Sequence, residues 1–81
     1  MHDKENIEFE LKRLDKEIQQ TPDCSALYFE RGKLRWKLGR KAEAMTDYNI
    51  ALSLDPHSSA KSYLDMANDI MDFYNTDLYN P

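Results

Sequence analysis

Three groups of residues in this 81-residue chain could do chemistry. Arg31, Lys33, Arg35, Lys37, Arg40 and Lys41 form a cationic run with no acid between its members, suited in principle to a polyanion. Asp65, Asp69 and Asp72 stand at i, i+4 and i+7, one helical face of carboxylates. They lack the loop geometry and ligand number that calcium needs, so a solvated face is the expectation. Phe29, Lys33 and Trp36 repeat the i, i+4, i+7 spacing and put two aromatics around a cation. Such a face suits an extended peptide with an acidic group and a large apolar side chain, because aromatic anchors carry binding energy and lysine steers charge. Cys24 has no histidine arranged beside it, and His2 and His57 stand alone without metal spacing. There is no glycine-rich phosphate loop, nucleophile elbow or pair of catalytic carboxylates. The expectation is no catalytic residue, no cofactor and no metal.

Composition narrows the classes. The chain is 41% hydrophobic and 32% charged, with two Gly and three Pro, which suits one small folded helical domain and not a disordered chain. At this length only about 60% of the unfolded surface is buried on folding, so the stability is marginal. The net charge of −4 argues against nucleic acid as the main partner. The charge is uneven: from Asp55 onward Lys61 is outnumbered by Asp55, Asp65, Asp69, Asp72 and Asp77. Helical geometry scatters the run from Arg31 to Lys41 around its cylinder, and Glu30, Glu43 and the acidic fourth helix are expected to oppose it. Binding of a polyanion through residues 31–41 is therefore the least favoured reading. The opening MHDKENIEFELKR is charged throughout, so neither a signal peptide nor a membrane span is expected. Lone Cys24 excludes an internal disulfide and fits a reducing, cytoplasmic setting.

The elements that must position these residues read as helices. Ile7, Leu11, Leu14 and Ile18 make one apolar stripe over residues 4–20, with Asp3 as the expected N-cap and Thr21-Pro22 as the stop. Residues 25–38 follow, capped by Asp23 or Ser25, with Leu27, Leu34 and Leu38 on one side. Gly32 in mid-helix implies a helix too close for a Cβ, and Gly39 supplies the left-handed stop. The third helix spans 41–54 and closes on Asp55-Pro56. The fourth spans 59–74, capped by Ser58 or Ser59, with Ala60, Tyr63, Leu64, Ala67, Ile70, Met71 and Tyr74 as its apolar face. Residues 75–81 read as a tail. No alternating β-branched run predicts a strand.

The stretch from Tyr28 to Pro56, YFERGKLRWKLGRKAEAMTDYNIALSLDP, resembles a tetratricopeptide repeat, the helix-turn-helix unit of α-solenoids. Tyr28, Gly32, Gly39, Ala44, Tyr48, Ala51 and Pro56 fall at the family's signature sites over residues 25–58. Arg31 and Arg35 depart from the pattern, standing where apolar or aromatic residues are usual. A 34-residue offset sets Leu11, Leu14 and Ile18 over Met45, Tyr48 and Leu52, with Glu10 and Glu17 in place of Ala44 and Ala51. A strict 34-residue offset would turn Ser62, Asp65 and Asp69 into the core, whereas 35 sets Tyr63 over Tyr28, Met66 over Arg31, Ala67 over Gly32 and Ile70 over Arg35. The resemblance implies one all-α domain over residues 1–81, a right-handed solenoid of about four antiparallel helices, like a small stand-alone bacterial-type member. One complete repeat, residues 25–56, is flanked by two half-repeat capping helices.

In that family a ligand peptide lies along the first helices of successive repeats. The resemblance therefore implies a peptide groove of Phe29, Lys33, Trp36 and Lys37 on the second helix with Leu64, Asn68, Met71 and Asp72 on the fourth. The lysine-asparagine clamp that some members use for chaperone tails is not matched, since Phe29 and Lys33 occupy its positions. The expected function is a non-catalytic adaptor for a protein or peptide segment. The competing expectation is a self-associating structural protein, a homodimer with the same groove as its interface; a further alternative is that the tail covers Phe29 and Trp36.

Overall fold

The computed structural model describes the backbone from His2 to Asn75 and the side chains of residues 4–68. Four helices follow in order, α1 (His2–Gln20), α2 (Ser25–Lys37), α3 (Lys41–Leu54) and α4 (Ala60–Asn75), and no strand occurs among the described residues. No helix is long and apolar enough to cross a membrane among them. Residues 76–81 of the expected tail lie outside the described residues, while Asn75 still belongs to α4.

Proline and glycine punctuation sets the helix ends. Gly39 takes a left-handed φ of 81°, and its neighbours close α2 with a Schellman motif: Arg40 N donates to Arg35 O at 2.9 Å and Gly39 N to Trp36 O at 3.0 Å. The start of α4 uses Ser58, whose Oγ accepts from Ala60 N at 3.1 Å. Two expected caps are otherwise employed. Helix α1 starts at His2, which puts Asp3 inside the first turn, and Cys24 occupies the α2 cap position without a side-chain bond. Ser25 is already helical and its Oγ donates instead across the hairpin to Ala51 O at 2.9 Å.

Contacts between the helices fix their directions. Ser25 meets Ala51, Gly32 meets Ala44 and Tyr48, and Arg35 meets Glu43 and Asp47, so α2 and α3 run antiparallel. Arg31 to Asp15, and Arg40 just past the end of α2 to Glu8, give the same relation for α1 and α2. Each helix packs on its chain neighbours, within an overall extent of 46 × 35 × 17 Å. The radius of gyration is 13.9 Å, against about 12 Å for a compact chain of this length, so the molecule is a slab rather than a ball.

The core is thin and built on small residues. Ala44, Tyr48, Ala51 and Ala60 are buried together, with Tyr28, Phe29, Trp36, Leu52 and Leu64 packed against them. Leu11, Leu14 and Ile18 are the buried stripe of α1, and Ala67 is buried on α4 while Ser62 and Asp65 are exposed. Of the α4 residues that the 35-residue offset turns inward, Ala67 is buried, whereas Tyr63 and Met66 are 42% and 60% exposed.

Gly32 is where the hairpin is tightest. A Cβ there would lie 2.6 Å from Tyr48 Cε1 and 3.2 Å from Ala44 O, and Tyr48 is itself 2% exposed, so the ring has no free direction in which to retreat. Nothing lies within 4 Å of a Cβ at Gly39, whose requirement is conformational only. Gly32→Ala is therefore expected to destabilise by overpacking, about 1–3 kcal/mol, despite the better helix propensity of alanine. Gly39→Ala should cost about 1–2 kcal/mol through its left-handed backbone. Urea unfolding followed by far-ultraviolet circular dichroism checks both; a Gly32→Ala midpoint at or above wild type would remove the close-approach account.

Candidate functional site

The site begins with what holds α2 against α3. Asp47 is fully buried, and its carboxylate accepts from Arg31 Nε at 3.0 Å, Arg31 Nη2 at 2.8 Å and Arg35 Nη1 at 3.0 Å. Arg31 Nη1 continues to Asp15 on α1 at 2.9 Å, so one guanidinium ties three helices. Hydrogen bonding to Asp47 raises the Arg31 pKa above its ordinary value in spite of partial burial. Arg31 and Arg35, which depart from the repeat pattern in sequence, are thus the partners of a buried acid.

The remaining cations of the run disperse. Arg40 pairs with Glu8 at 3.2 Å, Lys33 with Glu30 at 3.1 Å and Arg35 with Glu43 at 3.9 Å. The expected opposition from Glu30 and Glu43 is present; of the α4 acids only Asp65 is described, and it takes no part. Asp65 of α4 pairs with Lys61 at 3.4 Å, both exposed. The side chains of Asp69 and Asp72 lie outside the described residues. Among those described, no group of three or more His, Cys, Asp or Glu could hold a metal.

With the hairpin set, α2 and α4 flank a groove of about 400 Å³ lined by Lys33, Trp36 and Lys37 of α2, Tyr48 of α3, and Tyr63, Met66 and Ala67 of α4. Beneath it Phe29, Tyr48 and Tyr63 form a three-ring cluster. Phe29 meets Tyr63 edge-to-face at 5.1 Å, Tyr48 and Tyr63 are 5.7 Å apart, and Phe29 and Tyr48 are 6.1 Å apart. Lys33 Nζ sits 4.7 Å over the Phe29 ring and Lys41 Nζ 5.4 Å over Trp36. Burial first, then Tyr63 and the charge of Asp47, push the Tyr48 hydroxyl up to about 12.

The expected groove residues therefore divide. Lys33, Trp36 and Lys37 come together on one wall. Phe29 lies in the ring cluster below them, Leu64 packs against the core and Asn68 is exposed away from the lining. The side chains of Met71 and Asp72 are outside the described residues. Tyr48, Tyr63, Met66 and Ala67 complete the site; Tyr63 and Ala67 belong to the expected apolar face of α4, and the 35-residue offset aligned Tyr63, Met66 and Ala67 with core positions rather than with the groove. Compared with models of known protein families, with curated proteins and with solved structures, the chain matches none.

Asp47→Ala leaves two guanidiniums partly buried without their acid and is expected to lose about 3–5 kcal/mol, a large share of the stability of so small a domain. Thermal unfolding measures it; a melting temperature within a few degrees of wild type refutes the structural role given to Asp47. For Tyr48 the folded pKa lies above the unfolded 10.0, so the folded state binds the proton more tightly and its contribution is whole below pH 10. It is lost as pH rises through about 12. Urea midpoints for wild type and Tyr48→Phe should diverge over that window, wild type falling more steeply; parallel curves contradict the assignment.

Proposed function

We propose that this chain is a tetratricopeptide-type interaction module that holds an extended, acidic peptide segment in the groove between α2 and α4, without catalysis. The observation that carries the reading is the groove's chemistry: lysines and large apolar side chains line it, and no acid does so among the described residues. Lys37 is exposed and Met66 is 60% exposed, so a ligand meets charge and apolar surface side by side. Such a site combines electrostatic steering with an anchor for one large side chain.

The repeat reading is supported by burial that follows its period. Leu14 of α1 and Tyr48 of α3 are both buried, as are Ala67 of α4 and Gly32 of α2. On α1, Glu10 and Glu17 are drawn to Arg13 at 2.6 and 3.0 Å, a solvated charged surface that suits a capping half-repeat of a right-handed solenoid. Lone Cys24 and the lack of a membrane-spanning helix among the described residues fit a cytoplasmic protein. Self-association through the groove is the second reading, favoured by the exposure of Tyr63 at 42% beside Met66.

A fluorescein-labelled peptide of alternating glutamate and leucine ending in tyrosine, titrated by anisotropy, tests the proposal. Wild type should bind it, and Lys37→Glu or Trp36→Ala should each weaken it about tenfold, near 1.4 kcal/mol. Binding should also fall with added salt. Equal affinity in all three chains removes the groove assignment, and a dimer in sedimentation that dissociates on Met66→Glu favours self-association instead.

A further inference from the structure

The groove selects for an acid next to a large apolar side chain, and the segment that follows α4 has that composition: residues 76–81 read TDLYNP. Resting on the groove being a peptide-binding surface, we propose that this segment of the same chain is its resident occupant, with Asp77 against Lys33 and Lys37 and Leu78 and Tyr79 against Trp36 and Met66. An outside ligand must then displace it.

Reach and charge support this. Helix α4 forms one wall of the groove and is described as far as Asn75, so the segment starts from the wall itself. Ala67, at the groove, lies eight residues back along α4, about 12 Å at the helical rise, and Tyr79, four residues beyond Asn75, reaches about 13 Å when extended. The segment is just long enough to fold back in cis. Its acid comes from the acidic end of the chain, and the groove wall it meets belongs to the cationic run. The other notable surface, Phe9 with Lys12, Arg13 and Lys16 on α1, is less suited to an acid, since Asp15 shares that hollow and Glu10 and Glu17 already hold Arg13. Tethering gives a weak contact a millimolar effective concentration, enough to compete with free ligand.

Trp36 is the chain's one tryptophan, so its fluorescence reports the groove directly. In the full chain, Asp77→Lys with Tyr79→Ala should leave the helical circular dichroism unchanged, raise acrylamide quenching of Trp36, and tighten binding of the labelled acidic peptide about tenfold. The quenching difference should not depend on protein concentration. Equal quenching and equal peptide affinity in the two chains overturn the proposal while leaving the groove as a ligand site. Equal quenching with no peptide binding by either chain overturns both readings. A difference that grows with concentration, together with a dimer in sedimentation, assigns the occupant to a second copy and overturns the intramolecular contact.

Discussion

Everything in this fold depends on one carboxylate that has left water. Asp47 has no exposure, and a buried carboxylate without partners is prohibitive in free energy, so the two arginines that satisfy it are obligatory rather than decorative. Their geometry does more than neutralise. A guanidinium binding a carboxylate through two parallel donors fixes distance and orientation together, which a lysine at the same position does not. The bidentate bonds from Arg31 and the single bond from Arg35 set how far α3 can slide along α2. The contact between Gly32 and Tyr48 lies in the same turn and fixes how closely they approach. Position along the axis is thus polar and separation is steric, and neither alone would hold a core made largely of alanines.

The helices were legible because their ends are written locally. Pro22, Gly39 and Pro56 each stop a helix by backbone chemistry that needs no distant partner, and α3, bracketed by Gly39 and Asp55-Pro56, has the predicted bounds. The caps were less legible: the hydroxyl of Ser25 had a competing acceptor, Ala51 O, that only the folded hairpin brings near. Asp47 was invisible for the same reason. An aspartate between a threonine and a tyrosine looks like any exposed helical residue, and its two arginines looked like surface charge, until the register between helices put them together.

The site divides along the same line. On α2 the spacing of Phe29, Lys33 and Trp36 marked the face, of which Lys33 and Trp36 line the groove, together with Lys37, which only the resemblance had added. The α4 wall was not: the resemblance put Leu64 and Asn68 on it, whereas Tyr63, Met66 and Ala67 line it, a face turned by one residue, about 100°. What sets that rotation is the burial of Ala60 and Ala67, two small residues that let α4 sit close to α3. Small side chains give a weak signal in a sequence and a strong constraint in a packed layer.

Tyr48 belongs to two structures at once. Its ring fills the hairpin against Gly32 and also forms the floor of the groove, whereas Lys37 and Met66 touch the groove from its rim and leave the core untouched. Heritable change is therefore unevenly permitted across this surface. Descendants of this chain are free to try new side chains at the rim, but the floor is inherited with the fold. Diversification in such a lineage would proceed by repainting the walls of a room whose foundation cannot be moved.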